Sequence, residues 1–227
     1  MKSLVAEEIV KVYQEGGSRV EALRGISLAL APSEIVILEG PSGSGKTTFM
    51  SVAGCLLSPT SGRLSVEGQG VDFSRPKDMV RVRRESIGFV FQSFNLFPAL
   101  TVLENVLYAL QIRGKLTPEY EREARTILDQ IGLGHRLDFI PARLSGGEKQ
   151  RVAIARALSG GSRILFADEP TANLDSHVGL EVLGILRRLA KEEGRSVLVA
   201  THDPAVRTIA DRVVRMRDGR LVEGEHG

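Results

Sequence analysis

Two textures of apolar residue alternate along this chain: short aliphatic runs closed by glycine or proline, and longer stretches in which apolar positions return every three or four residues. The first texture predicts strands and the second helices, so the chain reads as an α/β protein. Residues 4–13 and 26–30 are predicted strands, separated by the flexible turn Glu15-Gly16-Gly17-Ser18. The run Glu34-Ile35-Val36-Ile37-Leu38 suits a buried strand, and residues 47–53 after it read as a helix. Pro59-Thr60-Ser61-Gly62 marks a turn into a short strand over residues 63–66. Residues 76–85 read as a basic helix, and a strand over residues 87–91 follows it.

Thr101 is expected to cap a helix running to about Arg113, and Thr117-Pro118 opens another with a cap and a first-turn proline. In that helix Tyr120, Ala124, Ile127, Leu128 and Ile131 share one face, while Glu121, Arg122 and Arg125 lie elsewhere. Pro141 closes the region, and Ser145 is the expected N-cap of a third helix. An apolar strand then starts at Ile164 and delivers Asp168 and Glu169 at its carboxyl end. After Asn173-Leu174-Asp175-Ser176 comes a helix with Val182, Ile185, Leu186, Leu189 and Ala190 at helical spacing, and residues 196–200 form one more strand. Residues 211–222 read as a hairpin that turns at Asp218-Gly219.

Composition narrows what such a chain can be. At 227 residues and 42% hydrophobic content it can bury a full core, as one large domain or a core with a small subdomain. Aromatics are only 5% and Trp is absent, so that core is built from Val, Leu, Ile and Ala. Glycine stands at 24 of 227, about 11% against a usual ~7%, and marks loops between the aliphatic runs. A formal charge of +2 without any block of like charge argues against nucleic acid as a partner. The start, from Met1 to Glu8, meets two acids before any long apolar run, and nowhere do about 18 apolar residues follow one another. The expectation is a cytoplasmic chain that cannot span a membrane alone. Cys55, the one cysteine, sits beside Leu56 and Leu57 and reads as a buried, inert thiol.

The chemistry begins at Gly40-Pro41-Ser42-Gly43-Ser44-Gly45-Lys46-Thr47, a complete phosphate-binding loop between a strand and a helix. Its glycines let backbone N–H groups turn onto phosphates, Lys46 adds a cation, the Thr47 hydroxyl can ligate Mg²⁺, and the helix N-terminus adds positive charge. Gln92 follows a strand directly, where its side chain could reach a nucleotide. Asp168 can hold Mg²⁺ and Glu169 can orient or deprotonate a water. Two glycines after Ser145 suggest close approach of backbone N–H groups to an anion, though a loose first turn reads equally well. Tyr13 could stack on a base or cover a sheet edge. His202 sits at another strand end. Phe94, Leu96, Phe97 and Leu100 crowd a segment broken by Asn95 and Pro98, which suits either a minor core or a patch docking onto another protein.

In order, Gly40 to Thr47, Gln92, Leu144-Ser145-Gly146-Gly147, Asp168-Glu169, Asn173-Leu174-Asp175 and His202 resemble the nucleotide-binding subunit of ATP-binding cassette (ABC) transporters. The resemblance covers nearly the whole chain, and it departs at Glu148, commonly Gln, and at Asn173, commonly a small residue. It implies a phosphate-loop NTPase core, RecA-like, with an N-terminal antiparallel β subdomain and an inserted helical subdomain. The core would span about 1–92 and 156–227, and the helical subdomain about 93–155. It also implies a head-to-tail dimer holding two ATPs, in which Ser145, Gly146, Gly147 and Asp175 of one copy complete the site of the other. Tyr13 would stack on adenine, and Thr48 would join the phosphate contacts. Lys46 would hold phosphate, Glu169 would act as general base, Asp168, Thr47 and Gln92 would bind Mg²⁺, and His202 would contact the γ-phosphate or the attacking water. A separate membrane permease would be the partner, with this chain peripheral at the cytoplasmic face of the membrane. Residues 87–96 and Glu148 look like the lipoprotein-releasing and macrolide-exporter group; polar amino-acid importers share Phe94-Asn95-Leu96-Phe97-Pro98 and are the alternative, ahead of a soluble non-transport cassette.

Overall fold

The aliphatic runs assemble into two sheets that share a core. The computed structural model describes residues 1–15, 18–112 and 117–222. Its elements run β1 (Leu4–Glu15), β2 (Ser18–Leu30), β3 (Ile35–Glu39), α1 (Lys46–Ala53), β4 (Ser61–Val66), β5 (Gln69–Gly70), α2 (Pro76–Ser86) and β6 (Ile87–Val90). Then come α3 (Val102–Gln111), α4 (Pro118–Gln130), α5 (Gly146–Leu158), β7 (Ile164–Asp168), α6 (Ser176–Lys191), β8 (Ser196–Thr201), β9 (Arg212–Arg217) and β10 (Arg220–Val222). Gly16 and Gly17 of the expected turn, and Arg113 at the expected helix end, lie outside the described residues.

The small sheet is antiparallel in the order β2-β1-β4-β5; the large sheet runs β10-β9-β3-β8-β7-β6, parallel except for β10. Strand β3 shows why its run is apolar throughout: Val36 and Leu38 enter the core shared with the small sheet and α1, while Ile35 and Ile37 enter a second core under α5 and α6. A parallel strand covered on both faces has no polar side to show. Helices α3, α4 and α5 close a third cluster around Val106, Leu110, Ala124 and Leu128, and α5 serves both, with Val152 and Ala155 there and Ala153 and Ile154 in the second core. Helix α5 thus runs through the expected boundary near residue 155.

Two local expectations change. Strand β2 begins at Ser18 rather than at residue 26; Arg19, Glu21 and Arg24 break up its apolar pattern, and pairing with β1 across register shifts stabilises it instead. Thr117 stands at the N-cap position of α4 without accepting a capping bond, whereas Thr101 and Glu104 form a full capping box on α3. Cys55 is buried, and burial pushes its thiol up to about 11. No described helix is long and apolar enough to cross a membrane.

In the segment after Gln92, Phe94 and Leu96 pack partly into the cores, while Phe97 stays exposed with its ring edge-on to Tyr108 at 4.7 Å. The minor-core reading of that segment therefore holds for Phe94 and Leu96, and Phe97 is left at the surface. The buried amide of Asn105 organises its far end, accepting from Phe97 N at 2.8 Å and donating to the carbonyls of Phe97, Leu100 and Thr101.

Candidate functional site

Strand β3 ends at Glu39, and the glycine loop carries the chain into α1. Gly45 makes the turn with φ 105°, and a Cβ there would come within 2.7 Å of the Ala22 carbonyl oxygen. No side chain caps α1, so its first N–H groups remain available to an anion. Lys46 folds back over its own loop, its Nζ donating to the carbonyls of Gly40 at 2.6 Å and Pro41 at 3.0 Å. Ser44 is buried beneath the loop.

Strand β7 brings two carboxylates to the same place. Thr47 Oγ1 donates to Asp168 Oδ2 at 3.0 Å. Burial raises the Asp168 carboxyl above its ordinary range, with the Thr47 bond and the Lys46 charge pulling down and the Glu169 charge adding to the rise. At Glu169 the chain turns left-handed, φ 47°, a conformation that side chains rarely adopt. Its bonds fix it there: its N–H donates to Ala200 O at 2.8 Å, its Oε2 accepts from Thr201 Oγ1 at 2.9 Å and from His202 N at 3.4 Å, and its Oε1 lies 2.7 Å from His202 Nδ1. The carboxylate is mostly covered, and the His202 ring is mostly open to solvent.

These groups meet in a cleft of about 560 Å³ lined by Pro41, Ser42, Gly43, Gly45, Lys46, Thr47, Thr48, Gln92, Asp168, Glu169 and His202. Ala22 of β2 lines it too, and nothing in the sequence marked that residue. Asn173 donates to the Gln92 carbonyl at 3.0 Å, a tether that its amide supplies and a small residue could not. Thr201 was also missed, although a threonine one residue before His202 at a strand end was a readable signal.

Tyr13, Ser145, Gly146, Gly147 and Asp175 do not line this cleft. Tyr13 is 37% exposed on β1, with Lys11 Nζ 5.3 Å from its ring centre. Asp175 caps α6, accepting from Val178 N at 3.0 Å. Ser145 caps α5 in a capping box: its Oγ accepts from Glu148 N and its own N–H donates to Glu148 Oε2. Glu148, also paired with Arg136, is held below the usual carboxylate range chiefly by the Ser145 N–H. Gly147 has an internal reason to be glycine as well, since a Cβ would meet Val178 Cγ1 at 2.1 Å.

Thr47, Asp168 and Gln92 offer hard oxygens, the donor type that Mg²⁺ takes. Among the described residues no group of three His, Cys, Asp or Glu side chains could hold a metal by itself.

A glycine loop and two carboxylates meeting at the carboxyl ends of parallel strands define a phosphate-loop nucleotide-binding cassette. The family model described as ABC transporter matches residues 23–172, and the chain belongs to the ABC transporter family as one of its ATP-binding ATPase domains. It is 47% identical over 229 positions to the macrolide export ATP-binding/permease protein MacB of Syntrophobacter fumaroxidans, a match covering 100% of this chain and 32% of that protein. The chain thus spans about a third of the length of the MacB relatives it matches. An ABC transporter ATP-binding protein of Thermotoga maritima is 45% identical over 214 residues, covering 94% of this chain and 91% of that one. Among solved structures, the ATP-binding cassette MJ0796, in a dimeric post-hydrolysis state bound to ADP and Pi, superposes with a TM-score of 0.89 at 37% identity, covering 98% and 97% of the two chains.

Proposed function

We propose that this chain hydrolyses ATP to drive an export-type or lipid-releasing ABC permease, working as a head-to-tail pair with two nucleotides between the copies. The observation that carries the reading is the convergence of Lys46, the Thr47–Asp168 bond and the Glu169–His202 contact on one cleft. With the triphosphate bound, Mg²⁺ held by Thr47, Asp168 and Gln92 would draw negative charge from the phosphate oxygens. Lys46 and the N–H groups of the loop neutralise the rest. Glu169 accepts a proton as a water oxygen attacks the terminal phosphorus and the bond to the ADP oxygen breaks. His202 keeps the carboxylate aimed through its Nδ1 contact.

The second copy supplies what one cleft lacks. Ser145, Gly146 and Gly147 at the start of α5 would face the partner's γ-phosphate, and Asp175 would lie at the same junction. The 37%-exposed ring of Tyr13 suits stacking on adenine. Residues 93–155 would move as the helical lobe, and exposed Phe97 beside Tyr108 would meet the permease at the cytoplasmic face of the membrane. The identity with MacB proteins supports export over import.

Affinity purification of the tagged chain from solubilised native membranes, followed by identification of the integral protein that accompanies it, tests this reading. A permease with a large extracytoplasmic domain is expected. A compact permease with a solute-binding protein would replace export with import, and recovery with ribosomes or nucleic acid alone would remove transport altogether.

A further inference from the structure

Gln92 lies at the cleft on a segment whose backbone is strained. Phe94 and Asn95 both turn left-handed, at φ 61° and 50°, and residues with a Cβ hold that conformation only where their surroundings impose it. Here one side chain from a distant element reaches both carbonyls, beside the local bonds Phe94 N–H to Phe91 O and Asn95 N–H to Ser93 O. Arg156 of α5 donates from Nη2 to the Phe94 carbonyl at 2.8 Å and from Nη1 to the Asn95 carbonyl. Burial, with no carboxylate to offset it, lowers the pKa of this guanidinium. A cation drawn out of water needs acceptors, and two adjacent carbonyls presented by left-handed residues supply them. The other end of the segment is tethered where Asn173 donates to the Gln92 carbonyl.

We propose that Arg156 is a positioning residue of the nucleotide site, clamping the backbone of Phe94 and Asn95 so that Gln92 is held at the cleft. This rests on the reading of Gln92 as a nucleotide-site residue. The clamp also ties the segment after Gln92 to α5, the helix that Ser145 caps. The choice of residue follows from shape: a guanidinium reaches two adjacent carbonyls with a rigid fork, and an ammonium satisfies such a pair less well. The same guanidinium helps wall a groove of about 380 Å³ with Leu56, Phe91, Ala109 and Ile112, so anything seated in that groove touches the clamp.

The test uses the full chain as wild type, Arg156→Met, Arg156→Lys, Gln92→Ala and the Arg156→Met/Gln92→Ala double variant, read by amide hydrogen exchange and by phosphate release. In Arg156→Met, exchange over residues 93–97 should accelerate about tenfold or more while β7 and α6 keep their protection, with Arg156→Lys in between. Turnover should fall about tenfold in Arg156→Met, yet by less than about twofold when that change is added to Gln92→Ala, because a residue acting through Gln92 has nothing left to position. Unchanged exchange over 93–97, or loosening spread evenly through α5 and β6, would overturn the clamp and leave Arg156 a core cation. Additive losses of turnover would show that it acts by another route. A Gln92→Ala protein with wild-type turnover would instead refute the place given to Gln92; fast exchange confined to 93–97 would still establish the clamp, and slow exchange would remove it as well.

Discussion

Replacing Lys46 by alanine probes the phosphate loop, and the size of the effect follows from bonds already present. Lys46 Nζ has two carbonyl partners, Gly40 at 2.6 Å and Pro41 at 3.0 Å. A bound triphosphate therefore exchanges neutral acceptors for charged ones and does not add bonds to a bare ammonium. The gain is that of a charge-assisted contact, about 1.5–3 kcal/mol, not the full strength of an isolated ion pair. At about 1.4 kcal/mol per factor of ten, Lys46→Ala should weaken ATP binding by roughly 10- to 100-fold. Titration calorimetry with ATP, once in EDTA and once in Mg²⁺, measures it without relying on turnover. Lys46→Met, which keeps most of the packing of this buried side chain, should lose as much. An affinity within about twofold of wild type in both variants would mean that Lys46 serves only to brace its own loop, and the phosphate reading of the cleft would fail.

Tyr13→Ala should weaken ATP binding while Tyr13→Phe should not, because stacking needs the ring face and not the hydroxyl; equal losses measured by nucleotide titration would exclude stacking. Asn105→Leu removes the amide that holds Phe97, Leu100 and Thr101. Counting about three net bonds at roughly 1 kcal/mol each, its thermal midpoint should fall by about 6–12 °C on the scale for a chain of this size. Calorimetric melting that moves by under about 2 °C would show that water replaces the amide at little cost.

What the sequence made legible was whatever is encoded locally. The strand-loop-helix at Gly40 to Thr47, the apolar β3 and the Ser145 cap each depend on neighbours a few residues away, and each stands where the pattern put it. Strand β2 was cut short because its stability comes from pairing with β1, and its own charged positions conceal it. Asn105, Arg156 and the bond made by Asn173 were invisible for a related reason: each satisfies backbone carbonyls of another segment, and a carbonyl leaves no mark on the sequence. Ser145, Gly146 and Gly147 suggested an anion at a helix start, yet their place, and that of Asp175, in the site of a second copy came only from the family resemblance. In a single chain Ser145 caps α5, Gly146 and Gly147 open that helix, Asp175 caps α6, and none of the four lines the cleft.

The central claim is that Glu169 activates water at a nucleotide shared between two copies, and the Glu169→Gln variant tests it most directly. The amide keeps the size of the carboxyl and can keep partners in Thr201 and His202, but it is no useful base. Light scattering with and without Mg-ATP, run beside a phosphate-release assay, should show a stable dimer forming in ATP and turnover reduced by at least ~10²-fold, the usual scale for a general base. A Glu169→Gln protein that stays monomeric in ATP, or that releases phosphate at the wild-type rate, would contradict the account.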